Sequence, residues 1–139
     1  MNGIDDEFLA NRIKSMFRKH GFPLGASQFI APNENFPNEV AALLYEGGGI
    51  PIVHTNTKES DVILTTCRLI VIQGNVKQAV LLDSLKGIAA NSRSKERASN
   101  LSLLMADGQA FRVHLPKGPE YYAYYNVLQS LIKMKRQPV

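Results

Sequence analysis

The sequence lacks the features that mark several large classes of protein. None of its apolar runs approaches the ~20 residues that a membrane-spanning helix requires. A single cysteine, Cys67, excludes a disulfide within the chain and is typical of a reducing compartment. The first residues include Asp5, Asp6 and Glu7 instead of the apolar stretch of a secretory signal, so we expect a cytoplasmic protein.

The chain also lacks a strong charge of one sign. It carries 16 Lys and Arg residues against 12 Asp and Glu residues, which gives a net charge of +4. A dedicated nucleic-acid-binding domain more often shows a dense basic stripe, and we therefore expect no nucleic-acid partner. The length of 139 residues suits one compact domain with a substantial core.

No pattern of reactive side chains indicates catalysis. The three histidines, His20, His54 and His114, fall on three different predicted elements, and none has a carboxylate or cysteine at metal-ligand spacing. Cys67 falls in a predicted turn without a neighbouring base, and the chain has no Gly-x-Ser-x-Gly motif. Residues on separate elements can still converge in space. The sequence nevertheless predicts a non-enzyme with no catalytic residue, no metal and no cofactor.

The most strand-like segment of the chain is Asp61–Gly74. It consists largely of β-branched and aliphatic residues, and both alternating sets of side chains are mostly apolar. Polar residues interrupt it at Thr65–Arg68. We therefore predict two short strands joined by a tight turn.

Two helices are predicted before the strand region and one helix after it. Asp5–His20 has the apolar spacing of an amphipathic helix, which either packs on the core or binds a partner or a membrane surface. Phe22–Asn38 is rich in proline and predicts an irregular connection. For Pro37–Glu46 the sequence favours a second helix over a strand, and Gly47-Gly48-Gly49 ends it. The last predicted element is a helix, Glu120–Arg136.

Between these helices the period changes to that of strands. Gly87 predicts a bulge or a bend, and Asp107-Gly108 is the preferred dipeptide of a type I′ hairpin turn. The further predicted strands are Ile50–Thr55, Val76–Leu82, Leu85–Asn91, Leu101–Met105 and Gln109–Leu115. About seven short antiparallel strands and a closing helix indicate an α+β fold that is mainly β, either a small barrel or two orthogonal sheets. A simple α+β sheet is the alternative.

The segment Leu64–Val71 reads Leu-Thr-Thr-Cys-Arg-Leu-Ile-Val. It resembles the strand-turn-strand signature of bacterial pleckstrin-homology-like (PH-like) and GRAM-type domains. The resemblance implies a barrel of about seven antiparallel strands that a C-terminal helix caps at one end. It covers approximately residues 50 to 136. We therefore expect a PH-like domain at residues 50–139 and, at residues 1–49, a helical extension packed on its body.

The densest basic cluster outside the helix ends predicts a candidate anion-binding site at Lys86, Arg93, Lys95 and Arg97. The alternative is an ordinary solvated loop. Many PH domains bind phosphoinositides through basic residues between their first two strands. The corresponding loop here, Asn56–Ser60, holds one Lys and one Glu, so the sequence does not match that pattern.

Two functions from different classes remain. The first is a protein-interaction or scaffolding module, which binds another protein or self-associates through a sheet edge or the N-terminal helix. The second is a peripheral module that contacts an anionic membrane surface weakly, or binds another phosphate-bearing ligand. The tyrosines Tyr121, Tyr122, Tyr124 and Tyr125 suggest a stacking surface, but helical spacing directs two or three of them to the core. We favour the protein-interaction module.

Overall fold

The computed structural model describes residues 5–31, 36, 38–58, 60–91 and 99–136. Across these residues the chain is α+β. The helices are α1 (Asp6–Lys19), α2 (Asn38–Gly47) and α3 (Pro119–Arg136), with a short 3-10 helix at Leu82–Ser84. The strands are β1 (Ser27–Phe29), β2 (Pro51–Asn56), β3 (Asp61–Thr65), β4 (Arg68–Gln73), β5 (Val76–Leu81), β6 (Leu85–Ala90), β7 (Asn100–Met105) and β8 (Ala110–His114).

The strands form two antiparallel sheets. One sheet has five strands in the order β1-β2-β3-β4-β5, and the other has three in the order β6-β7-β8. Every pairing joins consecutive strands. Hairpins and short connections link the paired strands, except that α2 lies in the chain between β1 and β2. The predicted α+β class, the antiparallel strands and the C-terminal helix are confirmed. In the described part of the chain the two sheets do not join into a closed barrel.

One hydrophobic core lies between the sheets and the helices α1 and α3. Helix α3 contacts both β6 and α1, and α1 also contacts β2. The buried apolar side chains of α3 recur at helical spacing, as its sequence predicts. They are Tyr121, Ala123, Tyr124, Val127, Leu128, Leu131 and Ile132.

Helix α1 packs on this core. Its N-cap residue Asp5 accepts a hydrogen bond from the backbone of Glu7 at 2.9 Å, which satisfies one of the free N–H groups of the first turn. Leu9, Ile13 and Phe17 are buried on one face. Helix α1 therefore packs on the core through this face.

The hairpin of β3 and β4 is the centre of the larger sheet, as predicted. The side chain of Thr65 accepts hydrogen bonds from the backbone N–H groups of Cys67 and Arg68, which stabilises the tight turn. The apolar residues divide between the two faces of the sheet. Val62, Leu64, Leu69 and Val71 belong to the main core, whereas Ile63, Ile70 and Ile72 pack with residues of α2.

Helix α2 is held on the outer face of this sheet by Arg68. The guanidinium of Arg68 is buried, and its Nη2 donates hydrogen bonds to the carbonyl oxygens of Leu43 and Leu44. These carbonyls belong to the C-terminal half of α2, where the helix dipole favours a cation. Arg68, a residue of the signature segment, therefore has a structural role here.

The prediction of an irregular connection at Phe22–Asn38 was wrong for β1. Ser27, Gln28 and Phe29 pair with Thr55, His54 and Val53 of β2. A strand of three residues is too short to show alternation in the sequence. Its pairing depends on a neighbour distant in the chain, which a local pattern does not reveal. Residues 32–35 and 37 of the predicted connection lie outside the described part.

A buried polar network ties β1 to α3. Ser27 donates a hydrogen bond from its hydroxyl to the carboxylate of Glu120, and the backbone N–H of Ala26 also donates to that carboxylate, at 3.3 Å. The hydroxyl of Thr55 lies 2.6 Å from that of Ser27 and 2.7 Å from that of Tyr124. Burial raises the pKa of Tyr124, which keeps this hydroxyl neutral. The network satisfies the buried polar groups where the N-terminal segment meets α3.

Replacing Gly25 by alanine is expected to break this network. Gly25 has a φ of +56°, and an added Cβ would overlap the carboxylate of Glu120. The carboxylate would have to move away from Ala26 and Ser27, so we expect Gly25→Ala to lower the free energy of unfolding by ~2–4 kcal/mol.

Gly74→Ala is the matched control, because Gly74 has a φ of +57° and no atom near the added Cβ. It should show only the backbone cost of ~1–2 kcal/mol. Urea denaturation of both variants measures the difference. Equal losses of stability would show that the contact with Glu120 contributes nothing.

The hairpin between β7 and β8 is not of the predicted type. A type I′ turn requires a positive φ at both central residues. Gly108 has a φ of +89°, but no non-glycine residue in the described part has a positive φ, and this includes Asp107. The backbone N–H of Gly108 donates to the carbonyl of Met105 at 3.0 Å. The result is a three-residue loop with glycine at its last position, which needs only one left-handed residue.

Candidate functional site

The outer edge of β6 is unpaired among the described residues. In the three-stranded sheet β6 pairs only with β7, and no other strand in the described part of the chain pairs with it. Such an edge presents backbone N–H and C=O groups that can pair with another chain. Natural edges are commonly protected by charges, prolines or bulges. The first half of β6 has Lys86 and a bulge, but Ile88–Ala90 has no charge and no proline.

The bulge determines which side chains of β6 face the core. The register of β6 against β7 shifts just before Gly87, as predicted. Beyond the shift Ile88 lies opposite Leu103 and Ala90 lies opposite Leu101. Both leucines are fully buried, so Ile88 and Ala90 lie on the inner face of the sheet, towards α3. Without the extra residue they would lie on the outer face.

The same register shows which backbone groups point to the open edge. The backbone N–H of Asn91 donates to the carbonyl of Asn100 at 3.2 Å, so these two residues form a hydrogen-bonded pair. Bonded and non-bonded pairs alternate along an antiparallel ladder. Ala89 is therefore bonded to β7, whereas Ile88 and Ala90 direct their N–H and C=O groups away from it. The outer edge offers two donors and two acceptors.

A groove with a volume of about 680 Å³ lies between this end of β6 and the first turns of α3. The described residues of its lining are uncharged and rich in aromatic side chains. The lining residues are Ile88, Ala89, Ala90, Asn91, Tyr121, Tyr122 and Tyr125. On the inner face, the small side chain of Ala90 leaves room that a larger side chain would fill.

The tyrosines have fixed positions in the groove. Tyr121 is buried, its hydroxyl donates to the carbonyl of Asn100 at 2.9 Å, and burial raises its pKa. The ring of Tyr122 packs edge-on against that of Tyr121, with 6.3 Å between the centroids. The hydroxyl of Tyr125 accepts a hydrogen bond from Gln129 at 3.3 Å. Tyr122 and Tyr125 are both half-buried, so part of each ring is open to a ligand.

The positions of the four tyrosines agree in part with the sequence-based prediction. Two of the four tyrosines, Tyr121 and Tyr124, are buried in the core, which confirms the prediction that two or three face it. Sequence reasoning missed the groove itself, which Tyr122 and Tyr125 share with Ile88 and Ala90. A signal was present in the uncharged end of the strand and in two tyrosines spaced by three residues. This local signal does not show that the end of β6 and the start of α3 lie against each other in the fold.

The predicted anion-binding residues are placed only in part. Lys86 is exposed on β6, beside the bulge. Arg93, Lys95 and Arg97 lie outside the described residues, so the proposed cluster stays a prediction. Asn91, the last described residue before them, lines the groove.

The other reactive side chains have separate locations. His54 lies on β2 with its Nε2 3.0 Å from a carboxylate oxygen of Asp61. Cys67 is half-buried in the turn between β3 and β4, as predicted. Within the described ranges, no three His, Cys, Asp or Glu side chains lie close enough to hold a metal ion.

The comparisons with known proteins give no relative from which a function could be transferred. No protein-family model matches the chain, and no curated protein matches it. Among the described residues no helix is long and apolar enough to cross a membrane.

Proposed function

We propose that the chain is a non-enzymatic, cytoplasmic protein-interaction module of PH-like fold. It binds an extended, uncharged segment of a partner protein, which adds as a strand to the outer edge of β6. The open edge of β6 beside the tyrosine-lined groove is the observation that supports this proposal. Strand addition of this kind is a common mode of peptide recognition, in which the backbone supplies affinity and side-chain pockets supply specificity.

The PH-like assignment is supported by the order of the elements. Strands β2–β5 form four consecutive members of one sheet, β6–β8 form the other sheet, and α3 follows. The resemblance at Leu64–Val71 implies seven such strands and one such helix. Strand β1 is an addition at the edge of the larger sheet, contributed by residues 1–49.

The side chains at the groove favour a protein ligand. Tyrosine offers a large apolar ring and a polar hydroxyl, and it is enriched at protein interfaces. A bound strand would place alternate side chains against the rings of Tyr122 and Tyr125. Because none of the described lining residues carries a charge, we expect these side chains to be apolar or small.

A second copy of the chain is a less suitable occupant of this edge. The edge of β5 is also open, with Val76 58% and Leu81 55% exposed, and it has the apolar side chains on which a flat sheet-to-sheet dimer depends. The β6 edge instead adjoins a groove, which suits a single strand. A separate partner therefore fits β6 better.

The substitution Ala90→Pro tests the proposal. Proline removes the N–H that points to the partner, while the hydrogen bonds to β7 are made by Ala89 and Asn91. Peptides selected from a random displayed library on the native chain provide the probe. We expect Ala90→Pro to weaken their binding by about tenfold or more, since a hydrogen bond is lost and the ring blocks the edge. Titration calorimetry measures the change.

Ala110→Pro provides the matched control. Ala110 is exposed on β8, at the opposite edge of the same sheet. The hydrogen bond from the backbone of Met105 to the carbonyl of Gln109 places the N–H of Ala110 on the outer side by the same alternation. This variant should bind the peptides like the native chain. Equal binding by both variants, or a failure to select any peptide, would contradict the proposal.

A further inference from the structure

A second groove, with a volume of about 510 Å³, lies between α1 and α3, away from the β6 edge. Three cations line it: Arg12 and Lys19 from α1, and Lys133 from α3. Residues spaced by three, four or seven positions share one face of a helix. Arg12 and Lys19 are seven positions apart, so both point from α1 into the groove, about 10 Å apart along the helix axis.

No acidic side chain in the described part of the chain balances these cations. The residues three and four positions away from Arg12, Lys19 and Lys133 on either side include no Asp or Glu. Among the described residues, no carboxylate lines the groove and none of the three cations takes part in an ion pair. A solvated helix face more often intersperses both signs of charge. Three unbalanced cations in one groove create a positive potential that attracts anions.

The rest of the lining can complete a ligand site. The hydroxyls of Ser15 and Ser130 and the amide of Asn126 supply hydrogen-bond donors, which suit phosphate oxygens. The thioethers of Met16 and Met134 supply an apolar, polarisable surface that favours contact with a flat aromatic ring. The groove therefore combines a site for phosphate groups with a site for a ring.

The helix dipoles oppose anion binding here, but more weakly than the cations favour it. Lys19 lies in the last turn of α1 and Lys133 lies in the last turn of α3. A helix C-terminus carries about half a negative charge. Two such ends offset about one of the three positive charges, so the groove stays positive.

We propose that this groove binds a phosphate-bearing small molecule, and that a nucleoside di- or triphosphate fits it best. Arg12, Lys19 and Lys133 bind the phosphates, and Met16 and Met134 contact the base. The site is distinct from the β6 edge and requires no catalytic step. The interaction module would then bind a small-molecule ligand on one face and its protein partner on another.

A charge-matched pair of variants tests the proposal on the full chain. Arg12→Gln/Lys133→Gln removes two cations from the groove. Arg112→Gln/Lys117→Gln removes one Arg and one Lys that are exposed elsewhere, on β8 and just after it, and changes the net charge equally. Titration calorimetry at low salt uses ATP, pyrophosphate and adenosine as probes. Sedimentation with phosphatidylserine vesicles tests whether a lipid headgroup can supply the phosphate.

We expect ATP to bind more tightly than pyrophosphate, and adenosine to bind weakly. The groove variant should lose about tenfold or more in affinity for ATP, whereas the control variant should change by less than about twofold. Vesicle binding that the groove variant alone abolishes would support the same site with a lipid as the source. Equal losses in both variants, or no binding of ATP, pyrophosphate or vesicles, would overturn the proposal. Binding of the selected peptides should be unchanged in both variants, which separates this test from that of the β6 edge.

Discussion

A chain that ends at Lys117 is expected to lose its cooperative fold. Such a chain lacks all of α3, whose buried side chains fill the space between the two sheets. Each large apolar side chain that is fully buried contributes ~1.5–3 kcal/mol. The six large buried side chains of α3 together therefore approach or exceed the ~5–15 kcal/mol by which a whole domain is stable.

The shortened chain should retain strand signal but expose apolar surface. Near-ultraviolet circular dichroism, thermal unfolding and the binding of a hydrophobic dye distinguish this state from a native fold. A chain that ends at Arg136 keeps all of α3 and is the control, with an expected melt like that of the full chain. A sharp, cooperative melt of the chain that ends at Lys117 would show that α3 is an appendage.

The second large effect is expected for Leu128→Ala. Leu128 is 0% exposed, at the centre of the buried face of α3. Removing its side chain loses transfer free energy and leaves a cavity, which together lower the free energy of unfolding by ~2–5 kcal/mol. Urea denaturation with a fixed m-value measures this loss.

Leu104→Ala is the matched control for that substitution. Leu104 is 43% exposed on β7, so the same chemical change opens no cavity. We expect it to change the stability by no more than ~0.5 kcal/mol. Similar losses for the two variants would place Leu128 outside the core.

The sequence was sufficient to predict an element wherever its buried apolar residues recur with a clear period. Helix α3 shows its apolar stripe directly, and the β3 and β4 pair shows its polar interruption. The apolar pattern on both faces of that pair also has a physical cause. The main core covers one face, and α2, held by Arg68, covers the other.

The sequence was insufficient wherever a partner distant in the chain decides the structure. Strand β1 forms because β2 pairs with it and because Glu120 accepts a hydrogen bond from Ser27. The two residues of that bond are 93 positions apart. Between β7 and β8 the chain forms the three-residue loop and not the type I′ turn. The three-residue loop is less strained, because it needs a left-handed conformation at Gly108 alone.

The candidate site was harder to predict than the fold. The groove needs the bulge before Gly87, which turns Ile88 and Ala90 inward, and it needs the start of α3 to lie against the end of β6. Each feature has a local signal, but their juxtaposition is a property of the folded chain. The basic cluster at Lys86, Arg93, Lys95 and Arg97 was easier to notice, because charged residues that are close in the sequence can be recognised without knowing the fold.

The most direct test of partner addition at β6 is the exchange rate of individual amide hydrogens, measured by nuclear magnetic resonance with and without a selected peptide. The amides of Ile88 and Ala90 should exchange rapidly in the free chain and at least about tenfold more slowly in the complex, because only the complex supplies their acceptors. The amide of Ala89 is bonded to β7 and should be protected in both states. Unchanged exchange at Ile88 and Ala90 in a saturated complex would contradict strand addition at this edge.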